Sequence, residues 1–235
     1  MAFVHLGIHS EYSITDSIVR IKPLVKAAAA DNQRALALTD LSNLYATVKF
    51  YRACLGAGIK PIIGSEVIMD NEDTRLTLLA MNNEGYQNIT RIVSLGFTEG
   101  RADPINHGTP VIKRSHILEH AAGVIVLLTE KSDVGQALVG SMPEKADELL
   151  TEWQAKFDDR LYFAIKRTNR SGEDAFIRAA IHSGAKHNIP IIAHNDVRFL
   201  EQDDFDAHEA RVCIAGSYVL ADPNRPQTYS DEQYL

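Results

Sequence analysis

The segment FVHLGIHSEYSITD, residues 3–16, holds a histidine pattern that stops one side chain short of a metal pair. In an extended strand alternate residues share a face, so His5, Gly7 and His9 point the same way and Asp16 follows just past the strand end. Two imidazoles beside a carboxylate bind divalent ions because they offer lone pairs at fixed geometry. Glycine at position 7 breaks that pair. His194 stands two residues before Asp196 on one strand face, placed to join His9, Asp16 and Glu66 in a weaker residual site. Against this stands a plainer reading of His9 as a buried, hydrogen-bonded histidine. His208, within DDFDAHEARVCIAG, reads as a satisfied structural residue, and His107, His116, His120, His182 and His187 show no ligand spacing and read as surface or loop residues.

The elements that must position these groups are short apolar runs alternating with amphipathic stretches, the pattern of βα units around a parallel sheet. Strands are expected at Phe3–Ile8, Ala35–Leu38, Pro61–Ile68, Leu76–Ala80, Val124–Leu128, Leu161–Ile165 and Ile189–Ala193. Helices are expected at Lys22–Ala30, Tyr45–Leu55, Glu84–Leu95, Pro143–Lys156, Glu173–His187 and Asp203–Ile214. The continuous apolar runs VIVLL and PIIA suit parallel strands covered on both faces. In such folds chemistry collects at the carboxyl ends of the strands. His9, Asp40, Glu66, Asp196 and Arg198 fall at or near such ends in four separate segments, which predicts one pocket. Residues Thr98–Ser115, rich in Gly, Pro and Asn, read as an excursion between strand units. Tyr218–Leu235, with Pro223 and Pro226, reads as a linker, so the folded domain is expected over residues 1–217.

Composition bounds the function classes. A chain of 235 residues with 45% hydrophobic content can bury a large core, and one α/β barrel fits that size. Cys54 and Cys213 give no disulfide framework, no segment reads as a signal peptide, and no apolar run approaches the ~20 residues that cross a bilayer. A reducing cytoplasm is the expected compartment, with no membrane partner. The net charge is −7, from 31 acidic and 24 basic side chains. Duplex DNA is held largely through basic stripes that neutralise phosphates, so strong direct DNA contact is not expected here. Arg20, Lys22 and Lys26 read as a solvated helix face.

Three stretches, FVHLGIHSEYSITD, LALTDLSNLYATVKFYRACLGAGIKPIIGSEV and IIAHNDVRFLEQDDFDAHEAR, resemble the polymerase and histidinol phosphatase (PHP) domain of bacterial replicative DNA polymerase III alpha subunits. The resemblance runs colinearly over essentially the whole chain and implies a distorted parallel (β/α) barrel. Metal-binding members carry His-x-His first; here it stands as Gly7-Ile8-His9, with the following aspartate matched by Asp16. Of Thr-Asp-His-Gly, Thr39 and Asp40 match while Leu41 and Ser42 replace the rest. Glu66 is kept. Histidines are replaced by Arg75, Thr168 and Arg198, a cysteine falls near Glu130, and Asp196 and His208 match. What survives is the acidic half of the site.

A guanidinium has no lone pair to donate, so Arg75 and Arg198 cannot be ligands. Their charge is expected to replace that of the ions, pairing with Asp16, Glu66 or Asp196 through a planar fork of donors. The resemblance therefore implies a metal-free, catalytically silent domain that stabilises a polymerase chain and docks a separate proofreading exonuclease (epsilon) subunit. Nucleotide addition, with Mg ions about 4 Å apart, would belong to a polymerase palm outside this chain, and DNA would be met through that parent chain. The alternative is a residual metal-dependent phosphoesterase acting as a 3′-5′ exonuclease or pyrophosphatase. A free-standing histidinol-type phosphatase is disfavoured by the same replacements.

Overall fold

A computed structural model describes residues 3–71, 73–106, 108–222 and 224–235; His107 and Pro223 lie outside the described residues. The chain enters on a short strand, β1 (Gly7–Ile8), rather than the longer Phe3–Ile8 expected. Then follow α1 (Ile21–Ala30), β2 (Ala35–Leu38), α2 (Thr47–Gly56), β3 (Lys60–Met69) and β4 (Arg75–Ala80). After α3 (Asn83–Leu95), the expected excursion contains a π-helical turn at Gly96–Gly100, β5 (Val111–Ile112) and the first residues of α4 (Arg114–Glu119). The second half runs β6 (Val124–Leu128), α5 (Asp133–Val139), α6 (Pro143–Phe157), β7 (Leu161–Ile165), α7 (Glu173–His187), β8 (Ile191–Ala193), β9 (Asp196–Val197) and α8 (Phe205–Gly216).

The main sheet has the order β2-β3-β4-β6-β7-β8, with β5 paired to β3. β4 runs antiparallel to both of its neighbours, and the remaining pairings are parallel. The reversal follows from the connection. Only Asp70–Thr74 separates β3 from β4, which suffices for a hairpin, whereas a parallel return needs a crossover of a dozen or more residues. One strand therefore departs from the all-parallel expectation, and its first residue, Arg75, is carried to the rim where the carboxyl ends of the parallel strands lie.

Period-two alternation splits the two faces of the sheet. Leu76 and Leu78 of β4, Val124, Val126 and Leu128 of β6, and Leu161 and Phe163 of β7 pack outward with Trp153, Phe157 and Phe176 of the helices. Their neighbours Leu79, Leu127 and Ala164 meet Ala37 of β2 on the concave face, a contact that requires the sheet to curl into a barrel-like trough. VIVLL is apolar throughout because Val124, Val126 and Leu128 pack under the helices while Ile125 and Leu127 line an apolar cavity on the concave face. A third cluster packs Ile8 and Val197 against Leu24, Val25, Phe50 and Cys54 of α1 and α2.

β1 joins the ends of this trough at one rim only. It pairs in parallel with β9, Gly7 opposite Asp196 and Ile8 opposite Val197. On its other side Ala37 N–H donates to His5 O at 2.9 Å and Thr39 N–H to Ile8 O at 2.8 Å. No helix among the described residues is long and apolar enough to cross a membrane.

Candidate functional site

The rim pocket is built from the ends of β1, β3, β7 and β9 and the start of β4. Glu66 pairs with Thr77, so Arg75, two residues before Thr77, leans diagonally toward Glu66 on the same face. Gly7 pairs with Asp196, which brings His9 and Arg198, each two residues further on, to the same depth. Asp16 is delivered by the turn after His9: Ser17 Oγ donates to both His9 O at 2.6 Å and Arg198 O at 2.9 Å, tying the turn to both strands.

Two carboxylate oxygens form the centre. Asp16 Oδ2 lies 2.9 Å from His9 Nδ1, 2.9 Å from Arg198 NH1 and 3.5 Å from Arg75 NH1. Glu66 Oε2 lies 3.3 Å from His9 Nε2, 3.3 Å from Arg75 NH1 and 3.7 Å from Arg198 NH2. Arg198 NH2 also reaches Asp196 Oδ1 at 2.5 Å. Arg198 is wholly buried and Arg75 about a quarter exposed, at 23% of its side chain. A third cation completes the set: Lys166 Nζ lies 3.0 Å from Glu130 Oε1 and 3.3 Å from Asp196 Oδ2, with its side chain 7% exposed. Asp16, Glu66, Asp196 and Glu130 are thus interleaved with Arg75, Arg198 and Lys166.

The electrostatics follow from burial against pairing. Burial works to raise Asp196, but Lys166, then Lys131 and His194, outweigh it and hold the carboxyl well below the usual range. Glu130 is lowered likewise, Lys166 overcoming the effect of burial. Burial raises Glu66, with Arg75 and Lys131 opposing. Burial pulls the Arg198 guanidinium down to about 10, so it stays charged at neutral pH. For Arg75, less buried, the pull of Glu66 and Asp16 wins over burial and raises it.

The other expected residues take different places. Asp40 does not face the cluster; its carboxylate accepts from Ser10 N–H at 2.6 Å and from the hydroxyls of Ser10 and Ser13 at 2.8 and 2.7 Å. Burial still raises its pKa despite those donors. Leu41 forms a bridge with Glu66 through backbone, and its N–H donates to Ser13 Oγ at 3.0 Å. Thr168 is buried at the mouth of α7, where its N–H and hydroxyl donate to Glu173. His208 is fully buried behind the pocket, its Nε2 3.2 Å from the Asp16 carbonyl oxygen.

His194 holds an unexpected position. A Cβ on Gly7 would meet His194 Cε1 at 2.0 Å and Nε2 at 2.8 Å, so the imidazole fills the space where a side chain at 7 would start. Its Nδ1 is buried without a hydrogen-bond partner, and burial pushes the ring down to about 4, keeping it neutral at physiological pH. Among the described residues the side chains that converge within 4.8 Å of one another are those of His9, Asp16 and Glu66; His194 and Asp196 do not join them. The four-membered residual site expected from spacing is therefore not assembled.

Three groups at the pocket were missed in the sequence reading: Lys166, Tyr229 and Gln233. Tyr229 and Gln233 belong to the stretch expected to be linker. Yet Tyr229 OH donates to Asp16 Oδ1, and Gln233 Nε2 donates to Asp196 Oδ2 at 3.1 Å. Only a charged residue set directly after the apolar strand LYFAI hinted at Lys166.

The donor set is a poor fit to a divalent ion. Zinc sites take four ligands, or three with an open position, from lone pairs that point inward. Here the converging oxygens of Asp16 and Glu66 are each already shared by His9 and two guanidinium groups. The positive charge stands within the ligand shell itself.

The family described as the PHP domain fits residues 5–168, which carry most of the curled sheet and of the rim pocket. The chain belongs to the PHP family. Along its whole length it is similar to the N-terminal region of DNA polymerase III subunit alpha. The Pseudomonas aeruginosa protein is 44% identical over 241 residues, covering 100% of this chain and 20% of the relative. The Escherichia coli protein is 41% identical over 239 residues, covering 99% and 20%. The chain thus spans about a fifth of the length of these relatives.

Among solved structures, an amidohydrolase from Chromobacterium violaceum with bound sulfate and no metal superposes with a TM-score of 0.53 at 15% identity, covering 88% of this chain and 96% of that one. A candidate metal-dependent phosphoesterase from Bifidobacterium adolescentis gives a TM-score of 0.52 at 14% identity, covering 82% and 86%. These likenesses speak to the fold alone.

Proposed function

We propose that this chain is a PHP domain that works without a metal and without catalysis, as a structural part of a replicative DNA polymerase III alpha chain. The observation that carries the reading is Arg198, fully buried between Asp16 and Asp196 at distances of 2.9 and 2.5 Å. A guanidinium at that depth supplies the charge balance that an ion would supply, and it is held by the carboxylates an ion would need. In this reading the parent chain polymerises DNA at a separate Mg-dependent site in the cytoplasm. This domain stabilises that chain and presents a surface to the proofreading exonuclease subunit.

Elemental analysis of protein purified without a histidine tag or chelator tests the metal-free part. The expected content of zinc, manganese and iron is well below one per chain, and about one or more tightly held ions per chain overturns the reading. Deleting the domain from the parent polymerase should abolish exonuclease co-purification and lower polymerase solubility; retention of both removes the scaffold role.

One observation favours a second reading, residual phosphoesterase activity: His9, Asp16 and Glu66 still converge within 4.8 Å. Hydrolysis of a phosphoester upon addition of Mn²⁺ or Zn²⁺, lost in His9→Ala, would support it.

A further inference from the structure

Among the described residues, those between 217 and 228 are mostly exposed. From there the chain turns back onto the pocket. Tyr229 donates its hydroxyl to Asp16, and its ring stands edge-on to His208 with centroids 4.6 Å apart and lies 5.9 Å from the Arg198 guanidinium carbon. Ser230 Oγ donates to Thr168 O at 2.6 Å. Gln233, only 2% exposed, donates to Asp196 Oδ2 and accepts from Arg198 N–H at 2.8 Å. Asn195 Nδ2 donates to Tyr234 O at 2.7 Å, Tyr234 pairs with Phe199 as a parallel bridge, and Leu235 packs on the cluster around Ile8 and Val197.

Beside the packing of Tyr229 and Leu235, polar contacts at specific atoms fix where the segment sits. Two of its acceptors are carboxylates that Arg198 also meets: its NH1 donates to Asp16 at 2.9 Å, and its NH2 stands 2.5 Å from Asp196 Oδ1 as a charge contact without hydrogen-bond geometry. Hydrogen bonds to ionised acceptors are about twice as strong as neutral ones, and their geometry is set by whatever orients the acid. We infer that the rim pocket serves as the docking cradle for the chain's own residues 227–235, a strap that stays closed only while Arg198 aims Asp16 and Asp196 at Tyr229 and Gln233. The inference rests on the reading of the pocket as filled by guanidinium groups. It adds a consequence: re-aiming the two acids by removing Arg198 opens the strap.

Hydrogen exchange followed by mass spectrometry on the 235-residue chain tests this. Peptides covering 195–200 and 227–235 should be protected in the unaltered chain. In Tyr229→Phe/Gln233→Leu their exchange should rise roughly tenfold or more, the effect of losing a charge-assisted hydrogen bond, with β6 and β7 unchanged. Arg198→Met should open the same peptides; because that variant can fail to fold, the strap double variant carries the decision. Exchange of 227–235 at the rate of an unstructured peptide in the unaltered chain, or protection that survives the double substitution, overturns the proposal. Metal content measured on the same samples separates the two readings. A metal-bearing chain whose strap the double variant still opens refutes the guanidinium reading while upholding the strap, and an unprotected strap on metal-free protein refutes the strap alone.

Discussion

The imidazole of His194 occupies the space that a side chain at position 7 would enter, with its Cε1 only 2.0 Å from where a Cβ on Gly7 would lie. The missing ligand and the buried histidine are therefore one packing arrangement shared by two strands. Gly7→Ala should overpack the site and cost about 2 kcal/mol of stability, within the range for added methylenes in a filled core. His194→Ala should relieve much of that cost, so a double-mutant cycle by urea denaturation should show a coupling on the order of 1 kcal/mol or more. Additive costs would mean that the two residues do not compete for this space.

Arg198 touches three acids and has no access to water. Replacing it with methionine leaves Asp16 and Asp196 buried and under-paired, with an expected loss of about 3 kcal/mol. Arg198→Lys should recover little, because an ammonium cannot span both carboxylates as a planar fork does. Arg75→Met should cost less, since that side chain is partly wet. Equal urea midpoints for Arg198→Met and the parent would contradict this account of the pocket.

Lys166 pairs with Glu130 at 3.0 Å and also holds Asp196 at 3.3 Å. Lys166→Met should destabilise the fold by about 3 kcal/mol. Asp196 contributes stability that is present above its unfolded pKa of about 3.9 and is lost as pH falls through its depressed folded value. Without Lys166 that folded value rises, so the acid limb of the stability curve should move to higher pH. Adding Glu130→Gln should recover part of the loss; no recovery would show that Lys166 acts through packing alone.

His194 sets a separate pH dependence. Its folded pKa, pushed down by burial to about 4, lies below the unfolded value of about 6.5, so the unfolded chain binds more protons between them. Stability should fall as pH drops from about 6.5 toward about 4, by up to roughly 3 kcal/mol. Asp40 and Glu66, both raised by burial, act in the opposite sense. Comparison with His194→Gln across that window isolates the histidine, and an unchanged slope in the variant would rule it out as the source.

Much of the frame was legible in the residues because strand and helix periods are local. Ala35–Leu38, Val124–Leu128, Leu161–Ile165 and Glu173–His187 form as their apolar patterns indicate. That Gly7, Arg75 and Arg198 stand where the family resemblance implies histidines was legible, and glycine and arginine lack the lone pairs of a metal ligand whatever the fold.

Tertiary structure decided where those groups point and what joined them. Arg75 reaches Glu66 because a five-residue connection makes β4 run backwards, a fact of chain closure rather than of the side chain. Asp40 is drawn to Ser10 and Ser13, and His194 into the gap at Gly7, because a buried carboxylate takes the donors nearest to it and a cavity takes the side chain that fills it. Tyr229 meets Asp16 across 213 residues of sequence. No local period spans that distance, so a tail that reads as polar linker becomes part of the pocket only once the strands have brought its acceptors to one rim.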